Sequence, residues 1–347
     1  MNIKYIILSI VTDFRESFRS RRKITNELPD LIIRLGGIGD VIMTTGLLKG
    51  CNEKKTFFLT HHSHQELLSR LDLKNVEFIY LKKQINGVQT KKENFLALFS
   101  IWKKLFFRNF DTVYICYQDE RYKKLLSFCF YKNIKLLSEK NINEKYLGQT
   151  ILEKKFFGDF SFPALKIKEE KKNFRRIVLF PGNEKDIIAG KNLRSWPKGN
   201  FWKLIKILQE NNYEVIISGS LKDGEALNDW KNLDLKFQFS DSLLDTLKLI
   251  QSSFCVVTPD SGPMHLSLLA KTYCICLFGP THPKTRIPEC SLNSGKAKVL
   301  FFPEKIGCSP CYNGKNYNKC FRPICMEQIT PNDVYLKIKE YENSDSS

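Results

Sequence analysis

Two glycine turns are the strongest candidates for chemistry in this chain, because each carries an acidic residue beside a predicted helix start. The first spans residues 36–40 (GGIGD) and the second spans residues 260–265 (DSGPMH). Each follows a β-branched run and leads into a helical pattern, over Asp40–Leu48 and Gly262–Ala270 respectively. This order places backbone N–H groups and a positive helix end at the carboxyl edge of a parallel sheet, where α/β proteins bind phosphorylated ligands. The sequence therefore predicts two half-sites, one in each of two domains.

Asp40 in the first turn is a candidate general base. Negative charge is favourable at a helix N-terminus, so we expect the Asp40 carboxylate to be ionised near neutral pH. The turn is not a dinucleotide-binding fingerprint, because the third glycine of that motif would fall at Ile42. A second interpretation stays open, in which Asp40 only caps the helix. Close approach of a substrate is permitted by the three glycines of the turn, which are Gly36, Gly37 and Gly39.

The second turn predicts a diphosphate-binding site. Ser261 and Gly262 can present backbone N–H groups to phosphates, and His265 lies one turn into the helix. The alternative is an ordinary capped helix with a satisfied histidine. An acid beyond a comparable turn, Asp223 or Glu225, is placed to hold a ribose hydroxyl, with helix capping as its alternative. The candidate ligand-binding residues of these strand ends are Pro181, Gly182, Asn183, Asp223, Glu225, Asp260, Ser261, Gly262, Met264 and His265.

Five motifs stand along the chain at residues 36–40 (GGIGD), 180–182 (FPG), 194–197 (RSWP), 219–225 (GSLKDGE) and 260–265 (DSGPMH). In these motifs, and in their order and spacing, the chain resembles glycosyltransferase family 9, the heptosyltransferases of lipopolysaccharide core assembly. The resemblance covers roughly residues 30–338, and the cysteine-containing tail over 308–326 is part of it. It implies an α/β fold of GT-B architecture, in which two doubly wound, Rossmann-like domains face each other across a cleft.

The resemblance also implies roles for individual residues. Asp40 matches the aspartate that deprotonates the acceptor hydroxyl, and residues 260–265 match the segment that holds the donor's pyrophosphate and proximal sugar. The family has a lysine two residues before a Trp-Pro pair, which neutralises phosphate charge as the nucleotide leaves. Here that position is Arg194, which can bind phosphate in a bidentate manner but is bulkier than lysine. Lys191 is placed to share this role. The alternative for both residues is a solvated basic loop. Arg194 is one departure from the family pattern, and Gly46, where the family has proline, is a second.

The charge of the chain favours anionic partners. Its 347 residues include 55 Lys and Arg against 37 Asp and Glu, which gives a formal net charge of +18. The lysines are spread along the chain, so compositional bias is the alternative explanation. A nucleic-acid reader motif, a P-loop and an apolar run near the ~20 residues of a membrane span are all absent from the sequence. We expect a cytoplasmic protein with no nucleic-acid partner and with peripheral contact at the inner face of the inner membrane.

The sequence predicts no cofactor and no catalytic metal. An Asp-x-Asp pair, which would support Mg²⁺ on the donor phosphates, does not occur in the sequence. The C-terminal cysteines have the density of a metal site, and four thiolates could hold structural zinc there. Disulfides are disfavoured in a reducing compartment. This candidate cluster consists of Cys308, Cys311, Cys320 and Cys325.

Predicted strands and helices alternate along the chain and divide it into five parts. Helical patterns over 94–107 and 120–131 separate strands of the first domain, and a charged stretch without apolar periodicity forms a linker. With the domain roles that the resemblance implies, the parts are a basic N-terminal lead-in (1–30), an acceptor-binding domain (31–167), a linker (168–176), a nucleotide-sugar-binding domain with the Cys-rich segment 308–325 (177–329), and a C-terminal helix and tail (330–347).

The resemblance implies an inverting glycosyltransferase. It would move a sugar, with heptose from ADP-heptose favoured over other nucleotide-sugars, onto an anionic saccharide–lipid acceptor of the lipopolysaccharide core and lipid A type. The alternative is a protein of the same fold that binds a nucleotide-sugar or serves in assembly with weak or no turnover. The departures at Arg194 and Gly46 keep that alternative open. The sequence leaves the sugar, the acceptor hydroxyl and the oligomeric state undetermined.

Overall fold

The computed structural model of the chain contains two parallel β-sheets connected by helices, which is an α/β fold. Two units are distinguished by their internal contacts. The first comprises Met1–Gly36, Leu48–Gln65 and Leu73–Ser138, and the second comprises Gly37–Leu47, Glu66–Asp72 and Glu139–Ser347. The structure describes residues 28–49, 54–81, 99, 101–106, 108–116, 125–126, 129–136, 161–168, 170–182, 193–226, 230, 235–312 and 317–345.

The first sheet consists of five parallel strands, which are β1 (Asp30–Ile33), β2 (Thr56–His61), β3 (Val76–Leu81), β4 (Asn109–Ile115) and β5 (Phe130–Leu136). Their order is β3-β2-β1-β4-β5. All four residues of β1 are buried, as expected for a central parallel strand. The strand order reverses between β1 and β4, so the glycine turn after β1 lies at a topological switch point, where open α/β sheets bind ligands.

The second sheet consists of six parallel strands, which are β6 (Asn173–Leu179), β7 (Glu214–Gly219), β8 (Lys236–Phe239), β9 (Ser253–Pro259), β10 (Cys274–Leu277) and β11 (Ala297–Leu300). Their order is β11-β10-β9-β6-β7-β8. The order reverses between β6 and β9, which pair directly. The turns that follow these two strands, which begin at Phe180 and Asp260, therefore share the switch point of this sheet.

The helices are α1 (Ile38–Lys49), α2 (Gln65–Leu68), α3 (Lys198–Glu210), α4 (Leu221–Ala226), α5 (Leu243–Gln251), α6 (Gly262–Leu269), α7 (Glu289–Asn293), α8 (Ile324–Glu327) and α9 (Pro331–Asp345). The C-terminal α9 packs on α3. The indole Nε1 of Trp196 donates to the Ile329 carbonyl oxygen at 2.9 Å. This hydrogen bond joins the segment just before α3 to the segment just before α9. Among the described residues, no helix is both long and apolar enough to cross a membrane.

The structure corrects parts of the predicted secondary structure. The helix predicted over 120–131 is wrong at its end, because Phe130 begins β5, which pairs with β4. The pattern over 94–107 is confirmed at residues 99 and 101–105, which are helical, whereas residue 106 is a turn. The sequence did not predict the four-residue strands β8 and β11, which lie at the two edges of the second sheet. Most of the predicted N-terminal lead-in lies outside the described residues, and the predicted domain boundaries stay predictions.

Within the second unit, the start of α1 packs against the start of α6 through two glycines. A Cβ atom on Gly39 would lie 2.5 Å from Cδ2 of His265, and a Cβ atom on Gly262 would lie 2.8 Å from Cγ2 of Ile38. Both distances are too short for a real carbon–carbon contact, so a side chain at either position would push its neighbour away. At Gly37, in the same turn as Gly39, a Cβ atom would meet nothing within 4 Å. The two helix starts therefore touch where side chains are missing.

Gly39→Ala should destabilise the protein, whereas Gly37→Ala should not. The added methyl group would meet the ring of buried His265, and overpacking of this kind costs about 1–3 kcal/mol. Without that contact, alanine inside a helix would instead stabilise the protein by roughly 0.5–1 kcal/mol relative to glycine. Urea unfolding of both variants at one pH measures the difference. Equal or increased stability of Gly39→Ala would contradict the described packing.

Candidate functional site

Asp260 is the centre of a buried charged cluster at the carboxyl end of β9. The residue is 3% exposed, and its Oδ2 accepts a hydrogen bond from Thr281 Oγ1 at 2.9 Å. The same oxygen lies 3.4 Å from Nη1 of Arg194 and 3.6 Å from Nε of Arg286. Burial on its own would raise the pKa of Asp260, but the positive charges of Arg286 and Arg194 hold that pKa below its ordinary value. The ionised carboxylate is thus paired, as a buried charge must be.

Arg194 lies at the more exposed side of this cluster, with 35% of its side chain accessible. Burial lowers the pKa of its guanidinium, but Asp260, Tyr317 and Asp40 together raise it above the ordinary value. Arg194 is therefore a permanent cation that contacts Asp260 and lies within electrostatic reach of Asp40. Lys191, the residue predicted to share its role, lies outside the described residues, and its role stays a prediction.

The start of α6 differs from an ordinary capped helix. Ser261 occupies the N-cap position with an extended backbone (φ −152°, ψ 175°), but its side chain makes no capping hydrogen bond. Its Oγ instead lies 2.9 Å from Oγ1 of Thr258. The first N–H groups of α6, which a side chain commonly caps, are the groups that bind anions at helix starts. Met264 is fully buried, and its predicted donor contact stays a prediction.

His265 is a buried histidine that stays neutral. It is 3% exposed, and among the described residues its Nδ1 has no hydrogen-bond partner. Burial lowers the pKa of His265 to about 4, against the opposing effects of Asp260 and Asp40. A neutral imidazole with one unpaired nitrogen is suited to hydrogen bonding with an uncharged polar group. The interpretation of His265 as a satisfied core histidine does not fit these contacts.

Asp40 belongs to the same neighbourhood as the second turn. Because α1 begins at Ile38, Asp40 is the third residue of the helix, whereas the sequence pattern began the helix at Asp40. Asp40 is partly exposed, and its carboxylate acts electrostatically on His265 and Arg194. In the first unit, Nε2 of His64 donates to the Gly36 carbonyl oxygen at 3.1 Å, which holds the glycine turn that precedes Asp40.

Two other predicted strand ends have local structural roles. Gly182, after β6, has φ of +75°, a left-handed conformation that favours glycine, and Pro181 beside it is buried. Asp223 Oδ2 accepts hydrogen bonds from the backbone N and Oγ of Ser220, both at 2.8 Å, and Ser220 Oγ accepts from the Asp223 N–H at 3.3 Å. This reciprocal pair resembles a helix-capping box. The predicted ribose contact of Asp223 stays a prediction, and Asn183 and the side chain of Glu225 lie outside the described parts.

The Cys-rich segment attaches to the turn that carries Thr281. The backbone N–H groups of Cys311 and Tyr312 donate to the Pro280 carbonyl oxygen at 3.0 and 2.9 Å. Burial raises the pKa of Cys325 to about 11, so its thiol stays protonated at neutral pH. Within the described residues, no group of three or more His, Cys, Asp or Glu side chains is arranged to hold a metal ion. Cys308, Cys311, Cys320 and Cys325 are all free thiols, and the structural zinc site stays a prediction.

The sequence analysis missed three members of the charged cluster, which are Thr281, Arg286 and Tyr317. Thr281 and Arg286 lie in the loop after β10, which neighbours β9 in the sheet. The sequence feature that could have identified Thr281 and Arg286 is therefore the position of their loop after a strand, at the carboxyl edge of a parallel sheet. In a chain with 55 lysines and arginines, a single arginine in a loop gives no signal of its own.

Comparison with known proteins identifies the family. The sequence model of glycosyltransferase family 9 (heptosyltransferase) matches residues 132–321. Lipopolysaccharide heptosyltransferase 2 of Escherichia coli (strain K12) is 27% identical over 157 residues, which cover 40% of this chain and 43% of that protein. Lipooligosaccharide heptosyltransferase 2 of Haemophilus influenzae is 30% identical over 115 residues, which cover 31% of this chain and 32% of that protein. The chain therefore matches less than half the length of these curated relatives.

Solved structures share the fold. The structure of E. coli ADP-heptose lipopolysaccharide heptosyltransferase II superimposes with a TM-score of 0.66 at 18% identity, covering 92% of this chain and 100% of that chain. E. coli heptosyltransferase WaaC with ADP gives a TM-score of 0.63 at 13% identity, covering 90% and 100%. These similarities confirm the predicted α/β fold class of GT-B type. Because the family match extends over more than half of its residues, the chain belongs to glycosyltransferase family 9, the heptosyltransferases.

Proposed function

We propose that this chain is an inverting, metal-independent glycosyltransferase that moves a sugar from a nucleotide-sugar to an anionic saccharide–lipid acceptor. The observation that carries the proposal is the convergence of Asp40, Arg194 and His265 around the starts of α1 and α6. Family membership supports heptosyl transfer in lipopolysaccharide assembly. The similar E. coli proteins are named for ADP-heptose or hold ADP, so ADP-heptose is the proposed donor. The net charge of +18 supports an anionic acceptor and peripheral contact with the inner membrane.

The donor's diphosphate is proposed to bind at the start of α6. The backbone N–H groups of Ser261 and Gly262 and the guanidinium of Arg194 would donate hydrogen bonds to its oxygens. When the bond between the anomeric carbon and the phosphate oxygen breaks, its electron pair stays on that oxygen. The leaving nucleoside diphosphate therefore gains negative charge, which fixed donors and a cation stabilise. Neutral His265 is proposed to hydrogen-bond a hydroxyl of the donor sugar.

The acceptor is proposed to be activated by Asp40. The acceptor oxygen forms a bond to the anomeric carbon from the face opposite the diphosphate, so the configuration of that carbon inverts. The hydroxyl proton passes to the Asp40 carboxylate in the same step. The partial exposure of Asp40 leaves room for an acceptor to approach it.

Asp40→Asn should retain affinity for the nucleotide-sugar but reduce the transfer rate by about 10² or more, because a base is needed only when the hydroxyl attacks. Asp245→Asn is a matched control: Asp245 is also the third residue of its helix, α5, and is exposed. Both substitutions remove one negative charge from the first turn of a helix. The control should therefore share any small loss of stability but keep the parent transfer rate.

Donor binding and transfer rates for the parent and both variants test the assignment. Transfer by folded Asp40→Asn at nearly the parent rate would show that Asp40 is not the base. A parent protein that binds the nucleotide-sugar and transfers nothing to any saccharide–lipid acceptor would favour the assembly protein of the same fold.

Removal of divalent cations should leave transfer essentially unchanged, because the proposed charge on the diphosphate is held by arginine and by backbone N–H groups. Initial rates with EDTA and with added Mg²⁺ measure this, and thermal unfolding midpoints in the same buffers serve as the control. Loss of activity that Mg²⁺ restores, without a change in the unfolding midpoint, would contradict the metal-independent mechanism.

A further inference from the structure

The surroundings of Arg286 suit a second cation, beside Arg194, for a bound diphosphate. Its Nε lies 3.6 Å from Oδ2 of Asp260, the same carboxylate oxygen that faces Arg194. Only 12% of the Arg286 side chain is exposed, and within the described part of the chain its buried Nε has no hydrogen-bond partner. The ion pair with Asp260 therefore leaves donor capacity of the buried guanidinium unused, and the exposed part of the side chain can offer it to a ligand oxygen.

Contacts within the protein hold Arg286 in place before any ligand binds. Arg286 follows the short 3₁₀ turn Pro283–Thr285, and its N–H donates to the Pro283 carbonyl oxygen at 2.9 Å. Ile287, the next residue, is buried. The guanidinium carbon lies 5.6 Å from the ring centroid of Tyr312, within the range of a cation–π contact. Such preorganisation reduces the entropy that ligand binding would otherwise lose.

The charges of the cluster also favour a second anion-binding arginine. Asp260 is one carboxylate that pairs with two guanidinium groups. Asp40 acts on Arg194, whereas among the described residues the ion pair of Arg286 is with Asp260. Asp260 is thus divided between two guanidinium groups, and Asp40 acts on Arg194, so in the described part of the chain Arg286 is the cation with only a shared carboxylate, and a polyanionic ligand can complete its pairing. A nucleoside diphosphate that gains charge as it leaves matches two guanidinium groups better than one.

We propose that Arg286 binds the donor's diphosphate together with Arg194, so that two guanidinium groups stabilise the leaving nucleoside diphosphate. This inference rests on the proposed function, since it concerns the same donor. In the competing explanation, Arg286 only neutralises Asp260 and makes no contact with a ligand. The two explanations differ in whether substitution of Arg286 weakens the binding of a ligand with phosphates more than the binding of the same ligand without them.

Calorimetric titrations with ADP and with adenosine separate these explanations. Arg286→Gln should lower ADP affinity roughly tenfold or more, because a charge-assisted hydrogen bond is lost, and should leave adenosine affinity unchanged. Arg286→Lys keeps the charge but not the planar fork and should fall between the parent and Arg286→Gln. Lys284→Gln removes one positive charge from an exposed position in the same turn and should keep the parent affinities.

Parent-like ADP affinity in folded Arg286→Gln, or equal fold-losses for ADP and adenosine, would overturn the inference. If Arg286→Gln does not fold, Arg286→Lys decides the question: a reduced ADP affinity with unchanged adenosine affinity supports the inference, and unchanged ADP affinity overturns it. A parent protein that binds neither ADP nor adenosine would overturn the proposed function, whereas a parent that binds ADP leaves the proposed function standing even when the Arg286 inference fails.

Discussion

The candidate site depends on a contact between two turns that have no side chains to keep them apart. Gly39 lies against the ring of His265, and Gly262 lies against the methyl group of Ile38. Helix starts that touch in this way bring their N-terminal N–H groups and the acid of the first turn, Asp40, into one neighbourhood. A larger residue at either glycine would separate these groups. The glycines are therefore required for the close packing of the two helix starts, and the absence of their side chains also leaves access for a ligand.

The electrostatics of the site follow from one buried carboxylate. Asp260 cannot stay ionised at its depth without positive partners, and Arg194 and Arg286 supply them. The result is a pair of arginines held at the carboxyl end of β9, close to the start of α6. Arginine in place of the lysine of the family is compatible with this arrangement, because its planar fork can contact the Asp260 carboxylate and still offer N–H groups to another anion.

Most of the fold could be predicted from the sequence because its central strands are buried on both faces. Strands such as β1 and β9 are continuous apolar runs that end in glycine turns, and this pattern is independent of tertiary context. The exposed edge strand β5 could not be predicted in the same way along its whole length. Most residues of β5 are exposed, so its pattern contains little of the apolar signal and its pairing with β4 decides its conformation.

The candidate site was predictable only in part, for a related reason. Asp40 and the turn that begins at Asp260 stand out because glycine, acid and helix start occur together. Arg286 and Tyr317 are distant from these motifs in the sequence and reach the cluster only through the order of β9 and β10 in the sheet and the attachment of the Cys-rich segment. The unsatisfied nitrogen of His265 is likewise a property of packing that no spacing reveals.

The central claim is that the start of α6 and Arg194 hold the diphosphate of a nucleotide. A crystal structure of the chain with ADP bound tests this claim most directly. We predict that phosphate oxygens lie about 2.7–3.2 Å from the backbone nitrogens of Ser261 and Gly262 and from the guanidinium of Arg194. ADP bound elsewhere on the chain, with these nitrogens away from its phosphates, would contradict the account.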